Sequence, residues 1–356
     1  MGLAADRLLD WNTARTVGAR TAGRGPDLRA VDRARLNEDF AELVPVASSQ
    51  VEDFTHLRVD GYPARPWVMT RPEWIGANLR TFNGVLEPFA QRVLAKAGEG
   101  ALAGVRRATL GVQVGGLLGY LSRKVLGQFD AFLPPDDDGL IYFVGPNIAG
   151  VERRFEFRER DFRLWVSLHE VAHRVQFGAV PWLRGYVNGL ATAYLGSMDL
   201  DPKRMMERIR GAAGAVRSGT VEWRGLGWVF LLMSPDQRDT FRRMQAVMSL
   251  LEGHGNFVMN DLGHRHVAGD ERMARVLHQR RQVGGLVQQV HKFLGLEQKM
   301  RQYEIGERFV RGVVDLGGPR AIDHAWLAPE NLPQLAELDD PVAWLTRVDR
   351  MPAAGR

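Results

Sequence analysis

Apolar positions recur with helical spacing along most of this chain, and only two short stretches break that rhythm. Helices are predicted around Ala4–Val17, Leu28–Leu43, Glu73–Ala97, Gly104–Leu126, Lys203–Val216, Pro235–Asn260, Glu271–Gln282 and Leu286–Val314. Another follows Asp161, read as its N-cap, and runs to about Phe177, with Gly178 and Pro181 as the stop. After the turn Pro134–Gly139, the run Leu140-Ile141-Tyr142-Phe143-Val144 is β-rich, and Val151–Phe157 alternates weakly enough to suggest a second strand. The pattern implies a mainly α fold of the α+β class, a helical domain with a small β element. The domain reading is an N-terminal helix and loop over 1–27, one main domain over 28–315, and a C-terminal segment over 316–356 broken by prolines.

Composition narrows the chemistry. The chain has 356 residues and no cysteine, which removes disulfides, thiolate metal sites and thiol nucleophiles together. Any metal must be held by His, Asp or Glu. The net charge of +5 is spread over short basic pairs such as Arg106-Arg107 and Arg242-Arg243, so a solvated surface is expected and a nucleic-acid partner is not. The most apolar stretch, Ala108–Leu121, is too short for a span and is flanked by Arg106-Arg107 and Arg123-Lys124. With no signal-like start, a cytoplasmic protein without a membrane partner is expected. Nothing in the sequence speaks to oligomeric state.

The chemistry concentrates in VSLHEVAHRVQF, Val166–Phe177. His169 and His173 are four residues apart, so on a helix they stand on one face, one turn above each other. Two imidazoles at that spacing can bind one zinc ion, and Glu170, about 100° around the axis, is placed to act as a base. Chance produces such a match in roughly 0.01 chains of this composition. Phe162, Trp165, Val166 and Phe177 lie on the same stripe, so the histidines fall on a face made for burial. Arg174, a charge directly after the second histidine, departs from the usual pattern.

A third ligand is needed, and the extended forms of the motif lack it. Gln176 and Ala179 stand where a Gly and a third His would follow, and the chain's Asn-Glu pair, Asn37-Glu38, lies upstream. The segment Met248–Asn260 offers Glu252 and His254. A regular helix aims residues two apart about 200° from each other, so only one of them can face the metal. Glu252 lies at the edge of an apolar stripe of Phe241, Met244, Met248, Leu251, Gly255 and Met259, with His254 off it. The favoured set is therefore His169, His173 and Glu252 on Zn2+, with Glu170 catalytic. His254 is the alternative ligand, and otherwise a group behind the ligands or facing the transition state. His264 and His266 form a further candidate pair.

The chain resembles a family of bacterial, mainly actinobacterial, zincin-like metallohydrolases associated with biosynthesis of the deazaflavin coenzyme. The segments that carry the resemblance are RPEWIGAN (Arg71–Asn78), GYLSRKVLGQFD (Gly119–Asp130), YFVGPNI (Tyr142–Ile148), HEVAHRVQF, LLEGHGNFVMN (Leu250–Asn260) and GLEQKMRQYEIGERFV (Gly295–Val310). Together they run from about residue 30 to 315. The resemblance implies a zinc-dependent hydrolase acting on a peptide or small amide. The alternatives are a zincin-fold binding protein without proteolysis, and a non-peptide amide hydrolase in cofactor metabolism. Two assignments stay open: Leu140–Val144 as either a substrate-pairing strand or a plain core strand, and Tyr303 as either an oxyanion donor or a packed helix residue.

Overall fold

The computed structural model describes residues 8–23, 25–26, 28, 30–97, 103–131, 139–197, 210, 233–276 and 301–350. The helix expected at Lys203–Val216 lies outside them apart from residue 210, and so does the turn at Pro134–Gly139 apart from Gly139. The chain divides into two compact units. One comprises Met1–Arg184 with His254–Val283, the other Gly185–Gly253 with Gly284–Arg356.

In the first unit, α1 spans Trp11–Ala22, α2 Ala30–Thr55, α3 Arg71–Ala97 and α4 Ala103–Ser122. The strands are β1 (Arg65–Met69), β2 (Gly127–Phe129) and β3 (Leu140–Val144). Next come α5 (Gly145–Phe155) and α6 (Glu159–Ala179). The sheet has the order β1-β3-β2, with β1 parallel to β3 and β2 antiparallel to it. β3 is therefore central, buried from Ile141 to Val144, and its apolar run is a core strand paired on both sides rather than a substrate-pairing edge. Val151 belongs to α5, not to a second strand. Gly145-Pro146 opens that helix immediately after β3, with proline in its first turn where a missing N–H costs nothing.

The helix α2 explains the core. Leu36, Phe40, Val44, Ala47 and Val51 recur every three to four residues and are all buried, and Phe40 stacks on Phe143 of β3 at 3.8 Å. The stretch Ala108–Leu121 lies within α4, which packs on α1 through Gly111, Gly115 and Gly119. At each of these a Cβ would run into α1 backbone or side chain, so glycine is what permits the approach. No helix among the described residues is long and apolar enough to cross a membrane.

Two further helices follow, α7 (Leu183–Gly196) and α8 (Pro235–His266). In the second unit, α9 (Arg301–Gly317) crosses α8 where Gly253 and Gly306 meet backbone to backbone. The short helices α10 (His324–Leu327) and α11 (Pro341–Asp349) complete it. Trp344 is fully buried against Phe309, and its indole N–H donates to Asn331 O at 2.8 Å.

Candidate metal centre

The helix α6 begins at Glu159 with Arg158 as its N-cap, so Asp161 sits in the first turn rather than capping it. Its first half is pinned by a buried guanidinium. Arg163 Nε and Nη2 donate to the two carboxylate oxygens of Glu152 at 2.9 Å each, Nη2 also reaches Glu159 at 3.0 Å, and Nη1 bonds Asp39. Burial works against the Arg163 charge, but Glu152 and Asp39 outweigh it and hold its pKa above the ordinary arginine value. This cluster ties α6 to α2 and α5, nearly two turns before the first histidine.

In the second half the imidazoles of His169 and His173 face each other with Nε2 atoms 3.2 Å apart. Two nitrogens about 2.0–2.1 Å from one tetrahedral zinc stand roughly 3.3 Å apart, so this spacing suits two ligands of a single ion. The opposing surface is α8. A Cβ on Gly255 would lie 3.1 Å from His173 Cε1 and 3.6 Å from His169 Cε1, so the backbone of α8 passes directly over both rings. Glu252 lies three residues earlier on the same continuous helix, about one turn away and on nearly the same face. Ligand atoms of His169, His173 and Glu252 all fall within 4.8 Å of one another, and among the described residues no other set of three His, Asp or Glu does so. Two imidazoles and a carboxylate are a hard-to-borderline donor set that fits zinc.

His254 is placed differently. It is buried, not off the buried face, because α8 is enclosed on nearly all sides from Ser249 to Met259, whereas Met248 of the expected stripe is exposed. Burial, with His173 nearby, pushes the His254 pKa down to about 3. Its Nδ1 is 2.9 Å from Gln176 Nε2, and Gln176 Oε1 is 3.0 Å from His173 Nδ1. Gln176 thus joins the two rings from the side of His173 opposite its Nε2.

Glu170 is buried beside the sheet edge, where its Oε2 accepts from Phe129 N–H of β2 at 3.1 Å. Gly127, two residues earlier, leaves the room: a Cβ there would lie 2.5 Å from Glu170 Cγ. Phe129 in turn stacks on Phe177 of α6, with ring centroids 5.9 Å apart. Arg174 points elsewhere on α6, donating to Tyr62 O, so the unusual charge after the second histidine leaves the ligand face alone. His264 and His266 are exposed in the last turn of α8, where His264 lies 3.4 Å from Asp270, and they do not join the cluster. Tyr303 lies on α9, and its side chain is outside the described residues.

The sequence reading missed Gln176, Gly127 and Phe129 as parts of the site. Gln176 carried a usable signal, since it stands three residues after His173 and therefore on its face. Gly127 and Phe129 carried none, because β2 is only three residues long and shows no alternation to read.

Comparison with known proteins finds a family and a solved relative. A sequence profile of zincin-like metallopeptidases matches residues 9–345. A crystal structure of a provisionally assigned hydrolase of novel fold from Chloroflexus aurantiacus is 33% identical. That match covers 97% of this chain and 100% of that one, with a TM-score of 0.74. A search of curated proteins finds no match.

Proposed function

The chain belongs to the zincin-like metallopeptidase family, and we propose that within it the chain is a zinc-dependent hydrolase of metallopeptidase type, acting on a peptide or small amide carbonyl. The observation that carries this reading is the convergence of His169, His173 and Glu252 within 4.8 Å beside a buried Glu170. His169, His173 and Glu252 would hold the ion. Zinc bound there supplies Lewis acidity, polarising a carbonyl and lowering the pKa of water toward neutrality.

The rest is done by the chain's own groups. Glu170 takes the proton of the attacking water and returns it to the departing nitrogen, a role that requires a carboxylate held in one orientation. The Phe129 N–H supplies that hold, and β2 brings it to the carboxylate without a side chain in the way. Gly255 presents bare backbone to the imidazoles, which lets α8 approach both rings closely.

The test is a chelator-sensitive hydrolysis screen on a peptide library, comparing wild type with Glu170→Gln. Cleavage by wild type, abolished by chelator and lost in Glu170→Gln with zinc retained, is the expected result. A broad screen without chelator-sensitive cleavage would instead favour a zincin-fold binding protein.

A further inference from the structure

We propose that Gln176 is a positioning residue whose carboxamide sets the ring tautomer of His173, and that buried His254 sets the orientation of that carboxamide. The proposal rests on the metal-centre reading above and deepens it. Gln176 is fully buried and stands between the two rings, 3.0 Å from His173 Nδ1 through Oε1 and 2.9 Å from His254 Nδ1 through Nε2.

The logic is one of proton counting. A neutral imidazole carries one ring proton, so Nε2 of His173 offers a lone pair to an ion only when the proton sits on Nδ1. An Nδ1–H needs an acceptor, and Gln176 Oε1 is that acceptor. The other end of the carboxamide is a donor, and it needs a lone pair opposite, which His254 Nδ1 provides when its own proton sits on Nε2. Turning the amide over reverses every role. The NH2 group would then face His173 Nδ1, drive the ring proton onto Nε2, and close that nitrogen to a cation, while His254 would have to present Nδ1–H.

Only one of the two amide orientations is therefore compatible with metal at His173 Nε2, and the tautomers of the two rings are linked through it. The placement on α8 gives the linkage its economy. Glu252 and His254 are two residues apart, so one helix carries both a residue of the candidate ligand set and the anchor of the amide. With Gln176 wholly buried and His254 nearly so, water is poorly placed to substitute for either partner.

The experiment is twofold. Nitrogen-15 NMR of histidine-labelled, metal-free protein should show His173 with its proton on Nδ1. Zinc affinity, measured by competition with a chelator, should fall about 10–100-fold in Gln176→Leu. Gln176→Glu, which still accepts from His173 Nδ1–H, should stay within a few-fold of wild type. Equal affinity and an unchanged tautomer in Gln176→Leu would overturn the proposal, as would an equal loss in Gln176→Glu, which would assign the effect to shape alone. Should Gln176→Leu not fold, His254→Phe serves: the amide is then released, and His173 is expected to populate both tautomers, whereas a single unchanged tautomer overturns the proposal. A wild type that holds no zinc overturns the metal-centre reading itself, an outcome distinct from zinc bound equally by wild type and the Gln176 variants.

Discussion

The two halves of α6 carry two polar clusters of opposite character on one helix. In the first half the Arg163 guanidinium holds the carboxylates of Glu152, Asp39 and Glu159, and Arg160 and Arg35 pair with Asp39 and Glu159 from the surface, so three cations face three anions within the protein. In the second half His169, His173 and Glu252 bring lone pairs together within 4.8 Å. Their neighbours fit that arrangement: the amide of Gln176 lies behind His173, and the backbone of Gly255 lies over both rings. A closed cluster of that first kind fixes where a helix sits. A convergence of donors of the second kind could hold a cation. The difference between scaffold and site is visible within twenty-one residues.

The sharpest way to separate the halves is to remove function from one and stability from the other. Glu170→Gln should lower the rate of hydrolysis by about 10²–10⁴-fold while zinc content and unfolding midpoint stay as in wild type. Steady-state kinetics on a library-derived substrate and metal analysis check both parts. Arg163→Met should do the reverse. It leaves Glu152 buried without its cation, which costs about 3–5 kcal/mol by denaturant unfolding, and the double variant Arg163→Met/Glu152→Met should recover most of that. If the double variant is as unstable as the single, charge balance is not what the first cluster contributes.

A smaller effect is expected at the sheet edge. Gly127→Ala places a methyl 2.5 Å from Glu170 Cγ and should swing the carboxylate away from the Phe129 N–H, lowering the rate by roughly 10²-fold without loss of zinc. Zinc loss in this variant would show that β2 supports the ligands rather than the base. The smallest expected effect is on pH dependence. His254 has a folded value of about 3 against 6.5 for the free side chain, so the unfolded chain takes up the proton first as pH falls. Its contribution to stability is complete above about 6.5 and is lost as pH falls toward 3, at no more than about 1.4 kcal/mol per pH unit. Metal-free wild type should therefore lose stability between pH 7 and pH 5, and His254→Asn should show a flatter profile over that window.

The legibility of these regions in the sequence follows from the range of the interactions that make them. His169, Glu170 and His173 lie within five residues, so helical spacing alone puts the pair of imidazoles on one face. The mainly helical architecture was readable for the same reason, since the apolar repeats of α2, α3 and α8 are local. Glu252 could be argued from the angle it makes with His254 on one helix, although the stripe used in that argument was imperfect: Met248 is exposed and His254 buried. Enclosure of α8 on nearly all sides is a tertiary fact, and no single-helix pattern carries it. The edge strand β2 and the centrality of β3 were not legible, because pairing partners far apart in sequence decide which strand lies inside a sheet. The Arg163 cluster was equally hidden, its partners Asp39 and Glu152 lying on other helices.

On the proposed function, His169, His173 and Glu252 hold one zinc ion. Metal analysis of purified wild type against Glu252→Ala, each dialysed against the same weak chelator, tests it directly. One zinc per chain in wild type and its loss in Glu252→Ala, with the fold intact by circular dichroism, is the predicted result. Equal zinc in both proteins, or none in wild type, would contradict it.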